Sequence, residues 1–252
     1  MNKSSKISMT NLVQISISII LTFYSITAIA QVIVNIGPRL LLSDWVGKNS
    51  SGFTYKSSYS TQVGFNIGLQ KGKYYGGLSF LQGTYVFKNE GPAKGNEFFS
   101  DPNFPFNNQN VSNFEVFRFE LDLIFGYYFW DNISLFIDQK VISNDSTINS
   151  YTQQFEGIGL GAAGTWPLDS RWSLFGSFGL IPSATSYANN PQNTIDSSYS
   201  VSLEFGGAYR IAENHRVNIG LKSHIQEYSY NNGASQKHRI GGLSIVYNYL
   251  IQ

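Results

Sequence analysis

The sequence predicts an all-β chain closed into an antiparallel, up-and-down transmembrane β-barrel. Three observations carry that expectation. First, apolar and polar residues alternate with period two, as in Phe117-Arg118-Phe119-Glu120-Leu121-Asp122-Leu123, and no stretch beyond residue 31 sustains a helical apolar stripe. Second, most alternating runs reach 12 residues or more, whereas an ordinary strand has about 5 to 6 and a tilted membrane strand needs about 9 to 11. Third, only 13% of the 252 residues are charged while 15% are aromatic, and a soluble domain would carry about 25% charge on its surface.

The N-terminal segment reads as an address. Lys3 and Lys6 precede an apolar run from Ile15 to Phe23, and Ala28-Ile29-Ala30 matches a small-x-small cleavage site, so residues 1–30 are expected to be a signal peptide. Ser16, Ser18, Thr22, Ser25 and Thr27 make the segment too polar for a spanning helix. Residues 31–252 then form the barrel domain. Without a spanning helix, only a closed barrel satisfies every backbone group in lipid.

Ten strands follow in order, at 32–44, 54–70, 74–88, 113–129, 133–143, 150–166, 171–184, 196–211, 215–230 and 236–250. Four connections are tight: Lys71-Gly72-Lys73, Trp130-Asp131-Asn132, Pro167-Leu168-Asp169-Ser170 and Ala212-Glu213-Asn214. The other five, at 45–53, 89–112, 144–149, 185–195 and 231–235, are generally longer and more polar. That alternation fits a barrel with short periplasmic turns, longer outer loops and an even strand count. Pro38 and the Gly76-Gly77 pair blur strands one and three, and eight strands are the alternative count.

The polar parity is dominated by Gly, Ser, Asn and Gln, which suits a crowded lumen better than a water-exposed face. Its charged members are Arg39, Arg118, Glu120, Asp122, Asp138, Lys140, Glu204, Arg210 and Lys222, together with His224. Centring the tight turns sets Asp122 opposite Lys140 and Glu204 opposite Lys222, pairs that offset the burial of each charge. The aromatic residues fall at strand ends. Tyr127, Phe129, Trp130, Trp166, Trp172, Tyr209, Tyr247 and Tyr249 lie near the turns. Trp45, Tyr55, Tyr59, Phe87, Phe114, Tyr151, Phe155, Tyr199, Tyr228 and Tyr230 lie near the loops. Two such sets are expected as belts at two membrane interfaces.

With these features the chain resembles small bacterial outer-membrane β-barrel proteins of the OmpA/OmpX-like, porin-family type, over essentially all of residues 31–252. The run Leu243-x-Ile245-x-Tyr247-x-Tyr249 resembles the C-terminal signal read by the barrel-assembly machinery in that family, although Leu250-Ile251-Gln252 follow it here. The resemblance implies a Gram-negative outer membrane, export through the periplasm, contact with lipid and lipopolysaccharide, and a monomer.

Little in the sequence points to catalysis. Zero cysteines exclude thiol chemistry and disulfides, no metal-binding spacing is present, and neither a cofactor nor a nucleic-acid partner is expected. His224 opposite Ser202 with Glu204 nearby is the one hydrolase-like constellation. Ten-stranded outer-membrane proteases depend on acidic pairs and a His at the outer mouth, and such pairs are not visible at these loop ends. His238, beside Lys237 and Arg239, lies near the outer rim, where Arg239 is expected opposite Glu227 if the last loop centres on Gly233. The pair is expected first as a rim salt bridge of little worth, and alternatively as a contact for lipopolysaccharide phosphates, which suit Arg. The loop from Asn89 to Ser112 carries Phe98, Phe99, Phe104 and Phe106 among three prolines and is expected either as a lid or outer contact or as a loop packed on itself without a partner. The expected role is therefore non-enzymatic, structural or surface-interacting, with a largely filled lumen. A narrow ion or solute pore and a barrel hydrolase are the alternatives.

Overall fold

In a computed structural model, the described residues are 32–50, 54–88, 113–147, 152–188, 195–231 and 233–251. The expected signal peptide and Phe98, Phe99, Phe104 and Phe106 lie outside them. The strands are β1 (Val32–Asn49), β2 (Thr54–Lys56), β3 (Ser60–Lys71), β4 (Tyr74–Lys88), β5 (Asn113–Trp130), β6 (Ile133–Ser146), β7 (Thr152–Pro167), β8 (Trp172–Ala188), β9 (Ile195–Ala212), β10 (His215–Tyr230) and β11 (Ser235–Ile251). Ten of them pair antiparallel in sequence order, and β11 pairs with β1 to close the barrel. The remaining strand, β2, pairs with the upper end of β1.

The expected strand 54–70 is interrupted at Ser57–Tyr59. Ser57 Oγ accepts from the backbone N–H of Trp45 at 2.9 Å, and Ser57 N–H donates to the Trp45 carbonyl at 2.9 Å. The register slips by one residue across the break, from Val46↔Lys56 to Ser43↔Ser60. At the opposite end, Pro38 lacks a backbone donor. The β1–β11 ladder lapses at Gly37 and Pro38 while the β1–β3 ladder runs through them. Gly37 approaches β11 so closely that a Cβ there would stand 1.7 Å from the Tyr247 carbonyl oxygen.

Alternation places the two faces as covalent geometry demands. Outward residues in the lower strands are apolar and exposed, among them Leu40, Leu42, Phe117, Phe125, Leu135, Ile137, Ile158, Leu160, Leu203, Phe205, Ile219 and Leu221. Toward the loop end the outward parity turns charged, at Asp44, Glu115, Glu156, Glu227 and Arg239. The inward neighbours of these charges are Trp45, Phe114, Phe155, Tyr228 and His238, all buried. Along one strand, therefore, the apolar face switches from outside to inside without a change of parity. Lipid explains the lower half and water the upper, because an apolar face turns toward whichever environment excludes water.

That switch corrects the loop-end belt. Trp45, Phe87, Phe155 and Tyr228 are no more than 1% exposed, and Tyr55, Phe114 and Tyr230 are also buried in the barrel. Tyr59 is exposed at the β2–β3 break, Tyr199 lies on the outward parity, and Tyr151 lies outside the described residues. The turn-end aromatics Phe129, Trp130, Trp166, Trp172 and Tyr249 are exposed, and Tyr127, Tyr209 and Tyr247 are partly so. Trp172 packs on Tyr209 with ring centroids 4.7 Å apart, and Tyr74, absent from the expected set, packs on Tyr127 at 5.0 Å.

Candidate functional site

The middle of the lumen holds a charge cluster whose hub is Glu120. Its carboxylate accepts from Lys222 Nζ at 2.8 Å, Arg118 at 3.2 Å and Lys140 Nζ at 3.4 Å. Lys140 also pairs with Asp122, its partner in the β5–β6 register. Lys222 stands opposite Glu204 in the β9–β10 register, but Glu204 takes its ion pair from Arg39 across the barrel, at 2.8 Å. Asp138 is 5% exposed, forms no ion pair among the described residues, and has one carboxylate oxygen without a hydrogen bond. The turns and the one-residue bulges beside them fix which residues stand opposite, while side-chain reach across the lumen decides which of them meet.

Arg210 does not join this cluster. It lies on the inward parity, two residues before the end of β9, but is exposed where the lumen opens between the turns. The luminal set is thus Arg39, Arg118, Lys140 and Lys222 against Glu120, Asp122, Asp138 and Glu204, all buried except Glu204, which is partly so. Four cations face four carboxylates. Buried charges of this kind are tolerable only when paired and further hydrogen-bonded. Arg118 meets the second requirement by donating to Asn144 Oδ1 at 2.9 Å and Gln226 Oε1 at 3.1 Å.

His224 is buried among them, and its partner differs from the one expected. Ser202 stands opposite it in register, but His224 Nε2 meets Ser200 Oγ at 2.8 Å and Glu120 lies 3.7 Å from Nδ1. The order serine, histidine, carboxylate resembles a hydrolase relay. Arg118 also lies 3.3 Å from Nδ1 and can only donate, so it competes with Glu120 for that nitrogen, and Ser200 is only 2% exposed.

Above the charges an aromatic plug fills the bore. Trp45, Tyr55, Tyr85, Phe87, Phe114, Val116 and Ile240 form one cluster, and Ile142, Phe155, Ile181, Tyr228 and Tyr230 a second. His238, expected near the outer rim, is buried beside them with its ring 4.8 Å from Trp45. Tyr85 shares hydrogen bonds with Ser43 at 2.7 Å and Gln62 at 3.0 Å, and Tyr55 accepts from Gln236 at 2.9 Å. Arg118 joins plug to cluster, its guanidinium 5.6 Å from the Trp45 ring centroid. These contributors were hidden in the sequence because Gln, Ser and Tyr on the inward parity carry no motif.

At the rim, Glu227 stands opposite Lys237 rather than Arg239, with a charge separation of 3.8 Å. Arg239 faces Ile225 and Val46. The pairs Glu227↔Lys237 and Ser229↔Ser235 centre this hairpin one residue before Gly233, which has a positive φ of 81°. The described residues contain no group of three or more His, Asp or Glu that could hold a metal ion.

The turn end of the barrel is hollow. A cavity of about 470 Å³ lies among the turns, and one of about 340 Å³ continues inward to Arg39 and Glu204. Both are lined by Arg216, Thr165 and Leu250. Among the described residues, the loop side of the lumen is therefore packed with aromatic side chains, and the turn side is open.

No protein-family model and no curated protein sequence matches the chain. Among solved structures, the outer membrane protease OmpT from Escherichia coli is similar over 87% of this chain and 97% of its own, with a TM-score of 0.54 and 13% identity. The β domain of the Bordetella autotransporter BrkA matches over 85% of this chain and 98% of its own, with a TM-score of 0.48 and 11% identity. The chain has the fold of an outer-membrane β-barrel, and at these identities the likeness is one of fold alone.

Proposed function

We propose that this chain is an integral barrel of a Gram-negative outer membrane, with a non-enzymatic structural or surface-interaction role and a lumen closed to solutes. The observation that carries the reading is the pairing of a balanced charge cluster with an aromatic plug directly above it. Mobile ions crossing that stretch would have to displace Trp45 and Tyr228 and break the Glu120 hub. Neither offers a continuous hydrated path. The exposed apolar band and the turn-end aromatics support residence in a bilayer, and the outer loops are the surface left for partners. Lipid and lipopolysaccharide at the rim, assembly by the barrel machinery, a cleaved N-terminal signal and a monomeric state belong to the same reading.

Single-channel recording in planar bilayers tests it. The purified protein is expected to give no steady conductance. A stable conductance that changes in Asp122→Ala or Lys140→Ala would replace the closed barrel with an ion pore. Location is tested separately, by gel migration of the outer-membrane fraction with and without boiling. A chain recovered only from the soluble periplasm would remove the membrane assignment.

A further inference from the structure

The hollow turn end carries a charge arrangement that the closed-barrel reading does not use. Arg210 and Arg216 stand directly opposite each other on β9 and β10, both on the inward parity. Like charges in that relation disfavour a sheet, and neither forms an ion pair with a carboxylate among the described residues. Arg216 donates one hydrogen bond, to Ser173 Oγ at 3.1 Å, leaving most of its guanidinium uncommitted. Arg171 and Lys73 line the same mouth. The two carboxylates there offer little neutralisation. Asp169 Oδ1 accepts from the backbone N–H groups of Arg171 and Trp172 at 2.7 Å each, and Asp131, which lines the mouth, forms no ion pair among the described residues.

Deeper in, the chemistry changes from charge to amide. Asn66 and Asn218 line the inner cavity, and each has a buried side-chain oxygen with no hydrogen-bond partner. A buried acceptor without a donor is unfavourable, so these two oxygens call for a group that brings hydrogen. Arg39 and Glu204, committed to each other, form the floor. Volumes of about 470 and 340 Å³ fall in the range of small-molecule sites.

We infer that the turn-end vestibule binds a small hydroxylated anion, with its anionic group between Arg210 and Arg216 and its hydroxyl groups directed toward Asn66 and Asn218. Carboxylate and phosphate share the required chemistry, since a guanidinium donates to either in a fork. A ligand bound here neutralises the facing arginines and supplies donors to the two amide oxygens. The site opens at the turn end. That this end faces the periplasm rests on the function proposed above, whereas binding itself requires only the barrel fold.

The test is calorimetric titration of the full chain, extracted from membranes in detergent, with glucose 6-phosphate, glucuronate, inorganic phosphate and glucose. Glucose 6-phosphate or glucuronate is expected to bind, with the phosphorylated and carboxylated arms identifying the preferred anion. Affinity should fall about tenfold or more in Arg216→Gln and in Arg210→Gln, and it should weaken in the parent protein as salt is raised. The salt series needs no variant, so it stands even where a substitution impairs folding. No binding by either hydroxylated anion, or binding indifferent to both salt and the two substitutions, overturns the site. Inorganic phosphate binding as tightly as glucose 6-phosphate overturns the role given to Asn66 and Asn218. Because the barrel is free in detergent, a negative result counts against the site without bearing on membrane location or conductance.

Discussion

Glu120→Gln is the sharpest perturbation of the luminal cluster. The substitution keeps shape and one oxygen acceptor but removes the charge that three cations share at 2.8, 3.2 and 3.4 Å. The loss does not fall evenly. Lys140 keeps Asp122, and Arg118 keeps Asn144 and Gln226. Lys222 has no hydrogen-bond partner other than Glu120 among the described residues and is only 8% exposed. Removing one member of a buried pair destabilises by about 3 to 5 kcal/mol, and the retained acceptor places Glu120→Gln near the lower figure, about 3 kcal/mol. Adding Lys222→Met restores balance, with three cations against three carboxylates, and should recover about half of that loss. Reversible urea unfolding in lipid vesicles, followed by tryptophan fluorescence, measures each corner of the cycle. A Glu120→Gln variant within about 1 kcal/mol of the parent, or a double variant no more stable than the sum of the singles, would refute the hub.

Three other outcomes are expected. Trp45→Ala should destabilise the barrel by about 3 to 5 kcal/mol through the cavity it leaves, and bilayer recording should show conductance steps absent from the parent; an unchanged silent barrel would mean Trp45 is not part of the seal. Gly37→Ala should lower the temperature at which the folded gel band is lost, since its Cβ would collide with the Tyr247 carbonyl at 1.7 Å, and an unchanged transition would contradict that close approach. Two backbone N–H groups hold Asp169 below its ordinary value of 3.8. Its contribution to folding is therefore present above 3.8 and lost as pH falls through the lower folded value. Amide shifts of Arg171 and Trp172 should accordingly titrate with a midpoint below 3.8, and a midpoint at or above it would refute the contact.

Strand parity was legible because side chains alternate regardless of context, and two-residue turns carry that parity from one strand to the next. Asp122 opposite Lys140 takes more than the turn at Asp131-Asn132, which alone would set Asp122 opposite Val141; a bulge between Tyr128 and Trp130 shifts the register by one residue. The last hairpin departs by two residues from the pairing its spacing suggests, because a glycine with positive φ need not mark the centre of its loop. Trp45 and Tyr228 fit an interface belt by sequence, because amphipathic rings suit both a headgroup layer and a wet plug. Only the inward neighbours of Asp44 and Glu227 reveal which applies. The diagonal reach of His224 to Ser200 and the convergence of Lys222, Arg118 and Lys140 on Glu120 depend on the bore of the closed barrel, which no local spacing encodes.

The switch of the apolar face along each strand also fixes how deep the barrel can sit. Sliding inward by one inward-outward repeat, about 5 Å for a tilted strand, would carry Asp44, Glu115, Glu156, Glu227 and Arg239 toward hydrocarbon together. Sliding outward would expose the lower apolar rings to water. Charges on the lipid face cost little at the interface and more with depth, up to about 2 to 4 kcal/mol for a basic residue at the midplane. Five strands carrying such a charge act as a waterline, and a host bilayer of different thickness would have to deform around it.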